Sequence, residues 1–181
     1  PAMAEARRAV DQVLAGHEPY PALAVDRHWT LVAANRAVEL LMVGAAPALL
    51  TPPVNVLRLS LHPDGVAPNI VNLAEWRDHI LERLRRQVDL TADPALADLL
   101  EELRGYPSTS GTLPGPPQRH TPVDPSAVFV PLRFRSPAGD LSFFGTVTVF
   151  GTPVDITLAE LAIEAFFPAD RSTAEILRAM T

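Results

Sequence analysis

Cysteine is absent from the 181 residues. No disulfide framework, thiolate metal centre or cysteine nucleophile can be built, and the chain fits a reducing, cytoplasmic setting. No apolar run is long enough to span a bilayer and no signal-peptide pattern opens the sequence, so no membrane partner is expected. Enzyme signatures are equally scarce. There is no Gly-rich phosphate loop, no G-x-S-x-G elbow and no H-E-x-x-H helix. Histidines 17, 28, 62, 79 and 120 lack metal-ligand spacing. Glu101-Glu102 reads as a solvated helix face. An enzyme would need a convergent, strongly perturbed acid or base in a cleft, and no pattern recommends one. The formal charge of −6 makes the chain a poor polyanion binder by itself, and no helix-turn-helix is visible.

What is present is apolar residue. At 48% hydrophobic composition the chain can bury a sizeable core, and its length suits one domain. Pro1-Ala2-Met3 reads as a cloning scar and 4–15 as a connector helix, with Val10, Val13 and Leu14 on one side. Residues 1–19 are therefore set apart from a domain over 20–181.

The informative stretch is Asn55–Gln87, NVLRLSLHPDGVAPNIVNLAEWRDHILERLRRQ. It opens on Val56-Leu57-Arg58-Leu59, turns at His62-Pro63-Asp64-Gly65, and ends in an amphipathic helix. Asn72 and Glu75 predict a capping box. Leu73, Trp76, Ile80, Leu84 and Val88 share its apolar face. Arg77, Asp78, Glu82, Arg83, Arg85 and Arg86 lie opposite, with Arg83 and Arg86 read as solvated.

This stretch resembles the ligand-binding domain of MmyB-like transcriptional regulators. Three further segments carry the likeness: LAVDRHWTLVAANRA (23–37), VPLRFRSPAGDLSFFGTVTVFGTPVD (130–155) and LAELAIEAFFPAD (158–170). The likeness runs from about Tyr20 to the end. It implies a PAS-like fold that normally follows an XRE-type helix-turn-helix. It also implies a small-molecule sensor, with a fatty acid as the occupant it suggests, and no other cofactor. DNA would then be met only through a helix-turn-helix missing from this chain. A homodimer is expected.

The rest of the chain agrees with an α+β fold, an antiparallel sheet with helices packed on one face. Residues 22–25 and 29–33 read as strands around a turn at Asp26-Arg27-His28. Asn35 follows, either as the N-cap of a helix, the favoured reading, or as a ligand contact. Asp93-Pro94 opens another helix, with Leu96, Leu99, Leu100 and Leu103 inward and Gly105 after it. Tyr106–Pro125 is a Pro- and Gly-rich loop. Residues 128–134 and 141–150 alternate as a hairpin, Pro131 marking an edge strand. Both faces of 141–150 are apolar, so it is expected to be covered on both sides. Thr157 and Glu160 predict a capping box for a helix through Leu161, Ile163 and Phe166. Ser172 and Glu175 start a last helix.

The expected site is an apolar cavity between helix 73–88 and the sheet, lined by Leu31, Leu41, Leu57, Trp76, Ile80, Leu84, Phe144, Thr146, Thr148 and Phe150. Plain core is the competing reading for each. Arg58 either binds a ligand carboxylate or pairs with an internal acid such as Asp26 or Glu75. His62 is a turn residue first and a ligand contact second. Arg77 and His79 flank Trp76 at the cavity's edge. A structural dimerisation module with a filled core is the alternative function.

Overall fold

A computed structural model of the chain describes residues 2–108, 129–150 and 160–180. Its centre is a curled five-stranded antiparallel sheet in the order β2-β1-β5-β4-β3. The strands are β1 (Ala22–Val25), β2 (Leu31–Ala34), β3 (Leu132–Ser136), β4 (Gly139–Val149) and β5 (Ala162–Pro168). The helices are α1 (Ala2–Gly16), α2 (Val56–Leu61), α3 (Leu73–Thr91), α4 (Pro94–Arg104) and α5 (Arg171–Ala179). This is an α+β, PAS-like architecture.

Strand parity sorts the core into two layers. Leu23 and Val25 of β1 join the large cluster beneath α2 to α5, whereas Ala22 and Ala24 face the other way, toward Val10 and Leu14 of α1. Helix α1 thus covers the back of the sheet, opposite the main helical layer. The β1–β2 turn is held by Asp26, whose carboxylate accepts from the backbone N–H of His28 and Thr30, both at 2.8 Å. Trp29 takes a positive φ of 66° to leave that turn.

Helix α3 ends where Ala92 adopts a left-handed φ of 51°. Asp93 then caps α4 by accepting from Ala95 N–H at 2.9 Å, with Pro94 in the first turn. The reversal lays α4 against α3 as a helical pair. At the far edge β3 does follow Pro131, and the hairpin turns at Pro137-Ala138.

Several expectations are corrected. Asn35 does not cap the short 3₁₀ helix Arg36–Met42. Its side chain accepts from Ala22 N–H at 3.0 Å and donates to the carbonyls of Leu14 and Tyr20 at 3.2 and 2.8 Å. Asn72 likewise makes no cap. It donates to the Pro131 carbonyl at 2.8 Å and accepts from Arg133 N–H at 3.0 Å, tying the start of α3 to the edge strand. The last helix is capped by Asp170, accepting from Thr173 N–H at 2.7 Å, rather than by Ser172.

The largest correction is the helix expected through Leu161, Ile163 and Phe166. Ala162–Pro168 is β5, paired with both β1 and β4. Ile163 and Ala165 face α1 while Phe166 faces the helical layer, a period of two imposed by the neighbouring strands. Thr157 and most of the loop 106–125 lie outside the described residues. Strand β4 is covered only in part: Leu141 and Phe143 are buried, but Val147 and Val149 near its end are 49% and 65% exposed.

Candidate functional site

The helical layer does not close completely on the sheet. An apolar cavity of about 110 Å³ lies between them. Val38 and Leu41 of the 3₁₀ helix, Leu57 of α2, and Trp76 and Ile80 of α3 form its roof and sides. Leu23 of β1, Leu132 and Phe134 of β3, and Phe166 of β5 form its floor. Asn55 positions α2 by accepting from the N–H groups of Leu57 and Arg58 at 3.1 and 3.0 Å. The Trp76 indole donates to Ser60 Oγ at 3.1 Å, so this large wall side chain is also satisfied.

One end of the cavity is polar. Arg83 of α3 donates through Nη1 and Nη2 to the two oxygens of Glu164 of β5, at 3.0 and 2.5 Å. Its guanidinium also lies 4.5 Å above the Trp29 ring, and the Trp29 indole donates to Gln87 at 2.8 Å. His79 completes this mouth. Burial, and then the nearby Arg83 charge, hold its pKa below the ordinary histidine value. Beyond the mouth an open groove of about 710 Å³ shares Trp29, His79, Arg83 and Glu164 with the cavity. A further groove of about 810 Å³ runs between α1 and α5, and its rim carries Asp11, Glu18, Arg36 and Glu39.

The residues anticipated from sequence divide into those at the cavity and those elsewhere. Leu41, Leu57, Trp76 and Ile80 line it, with His79 at the mouth. Leu84 is fully buried in the main core and Leu31 packs against it, but neither lines the cavity. Arg58 turns to Glu102 instead, donating through Nε and Nη2 at 2.7 and 2.7 Å. The phenol of Tyr106 donates to the same carboxylate. Arg58 and Tyr106 together pull Glu102 down to about 2, while burial and Glu102 push Tyr106 up to about 12. Glu102 is thus not the free surface acid its sequence position suggests. His62 ends α2, its Nδ1 accepting from Asp64 N–H at 3.0 Å and its ring meeting Tyr106 edge-on. Arg77 donates to the Arg104 carbonyl at 2.8 Å, where it completes the C-terminus of α4.

The β4 candidates fall on the wrong side for a cavity beneath α3. Phe144, Thr146, Thr148 and Phe150 alternate with Phe143, whose side chain belongs to the main core. Phe144 stacks on Phe167 at 5.7 Å, and Phe150 packs with the α1 cluster. Because both faces of 141–150 are apolar, periodicity gives no parity, and pairing with β5 decides it. Asn35 borders the groove beside α1, with its amide fully engaged.

Sequence reasoning missed Trp29, Arg83 and Glu164. The available signal was Glu164 itself, a lone acid within the apolar run Ala162–Phe167. The helix reading of that run gave the acid no role. As a strand it places a carboxylate at the cavity, where a cation must follow.

No group of three or more His, Cys, Asp or Glu side chains suited to a metal ion occurs among the described residues. No described helix is long and apolar enough to cross a membrane. The family model for the MmyB-like transcription regulator ligand binding domain matches residues 6–180. The chain belongs to this family. No curated protein matches it. Membership of the MmyB-like family makes the chain a regulatory ligand-binding domain, and the cavity beneath α3 is an apolar space between its helices and sheet.

Proposed function

We propose that this MmyB-like domain is a non-catalytic, cytoplasmic effector sensor whose small amphipathic ligand places its apolar part in the cavity beneath α3. The observation that carries this reading is the cavity itself. Its walls are almost wholly apolar, and its charged pair, Arg83 and Glu164, sits with His79 at one end, the usual division of labour in a ligand site. A fatty acid is the occupant that the resemblance suggests, and its chain suits the walls. Ligand pockets usually exceed about 300 Å³, so a long chain would need the walls to part toward the outer groove. Ligand binding would shift the balance between arrangements of a homodimer, and a helix-turn-helix joined through α1 would carry the change to DNA. Such a shift requires different ligand affinity in the two arrangements.

Solvent extraction of the folded protein followed by mass spectrometry, beside a mock purification, tests this reading. A stoichiometric small molecule absent from the mock is the expected result. The small size of the cavity, about 110 Å³, favours a second reading, a dimerisation module with a nearly filled core. An empty extract, with no ligand found by subsequent titration, would select it.

A further inference from the structure

The cavity beneath α3 and the groove beside α1 share one wall, the 3₁₀ helix Arg36–Met42. With three residues per turn, side chains three apart fall into rows. Val38 and Leu41 form the row that lines the cavity, whereas Ala37, Leu40 and Val43 form the row that lines the groove. A displacement of this wall therefore changes both spaces at once.

Its construction sets it apart from the other walls. Seven residues is long for a 3₁₀ helix, whose hydrogen-bond geometry is poorer than that of an α-helix. It is pinned at its two ends. Asn35 and the Arg36 N–H, which donates to Glu18 Oε1 at 2.9 Å, tie its start to the end of α1 and the connection that follows. The Val43 carbonyl accepts from Asn69 at 3.0 Å, just before Gly44 takes a φ of +86°. Between these ends the groove of about 810 Å³ leaves open space behind Ala37 and Leu40. Helix α3, by contrast, is bonded to the edge strand through Asn72 and to β5 through Arg83. Helix α2 has the Asn55 cap and the Arg58–Glu102 pair. An effector of ordinary size needs more room than the cavity's 110 Å³. Length can be gained through the mouth, but width has to come from a wall, and the least fastened one yields first.

We propose that the 3₁₀ helix Arg36–Met42 is a compliant partition between the two spaces. The apolar part of the effector presses Val38 and Leu41 outward, and the helix bows into the groove between its pinned ends. Asn35 and Arg36 deliver the movement to the end of α1. The inference rests on the cavity being the effector site. It admits the fatty acid proposed above and supplies the route by which occupancy reaches α1. Coupling of this kind runs both ways, so a change made on the groove side must alter affinity in the cavity.

The test titrates the full chain with decanoate at neutral pH, following the fluorescence of Trp29 and Trp76, the two tryptophans of the chain. Two substitutions act from the groove side, at residues that do not line the cavity. Ala37→Trp fills the space behind the wall and is expected to weaken decanoate about tenfold, a usual strength of coupling between two sites. Glu18→Ala frees the Arg36 N–H, so the wall yields more easily, and is expected to tighten decanoate about fivefold. In the parent chain, bound decanoate is expected to speed amide hydrogen exchange over 36–43. This measurement keeps the test decisive if Ala37→Trp does not fold. Equal binding by the parent and both variants would overturn the partition and leave the cavity as an effector site. Weaker binding by both variants, or slower exchange over 36–43 with decanoate bound, would also overturn it. Failure of the parent chain to bind decanoate would overturn the effector reading together with the partition.

Discussion

Arg58 and Glu102 meet as a two-pronged ion pair across α2 and α4, both N–O distances being 2.7 Å. The pair fixes the short α2 helix, which supplies Leu57 to the cavity, against the helical hairpin of α3 and α4. It also accounts for a guanidinium in an otherwise apolar segment without any ligand. Arg58→Ala is expected to leave effector affinity within about twofold. Because both side chains are more than one-third exposed, the loss of stability should be only about 0.2–1 kcal/mol. Urea denaturation beside ligand titration checks both halves, and a large fall in affinity with unchanged stability would return Arg58 to the site.

The same pair sets a pH dependence. Glu102 titrates near 4.5 when unfolded and is held at about 2 in the fold, first by the hydrogen bond from Arg58. A depressed carboxylate stabilises the fold above pH 4.5, and that contribution fades as pH falls toward 2. Solvent screening keeps it modest. Stability measured across this window should therefore fall less steeply in Glu102→Gln than in the parent chain. Parallel acid limbs would show that Glu102 contributes nothing to acid sensitivity.

His79 acts in a higher window. Its folded pKa lies below the ordinary 6.5 because burial and Arg83 disfavour the imidazolium, against weaker support from Glu164 and Glu75; Arg86 adds to the depression. Stability is then fully present above pH 6.5 and declines as pH falls below it, since the unfolded chain takes up the proton first. Replacing His79 with Gln should flatten that decline in thermal melts between neutral and mildly acidic pH.

Much of this was legible in the sequence where local chemistry and periodicity agree. Asp93-Pro94 marks the start of α4, Trp76 and Ile80 mark the buried face of α3, and Pro131 marks an edge strand. Legibility fails where a local signal is overruled by what packs beside it. Asn35 and Asn72 have the chemistry of caps, yet distant backbone groups claim their amides. Ala162–Pro168 becomes a strand because β1 and β4 offer it two edges. Phe143 and Phe144 are interchangeable by composition, and only sheet register tells core from back face. The cavity mouth joins Trp29, Arg83 and Glu164 from three separate elements, so no single stretch announces it.

Asn35 offers a sharp test of how α1 is attached. Its amide bonds the Leu14 carbonyl at the end of α1, the Tyr20 carbonyl in the connection, and Ala22 N–H of β1. Asn35→Ala leaves these groups without their partner in a buried setting, at a cost of about 1–3 kcal/mol. The loss should loosen α1 first, because few other polar contacts fasten it to the sheet. Limited proteolysis is expected to cut between Gly16 and Tyr20 faster in the variant while cavity binding persists. Equal cutting rates would mean that Val10 and Leu14 hold α1 by apolar contact alone.

Filling the cavity separates a sensor from a dimerisation module. Val38 lines the space and is 3% exposed, and a phenyl ring at that position projects into volume that is otherwise empty. Val38→Phe should gain about 0.5–2 kcal/mol if the ring fits the space, whereas overpacking would cost about 1–3 kcal/mol, and it should abolish binding of any small effector. Leu84→Ala supplies the contrast. Leu84 is fully buried but outside the cavity wall, so its truncation should cost about 2–5 kcal/mol without blocking the site. In a sensor, Val38→Phe is stable and blind to ligand. In a dimerisation module it is stable and fully functional, because association does not need the space that the ring has taken.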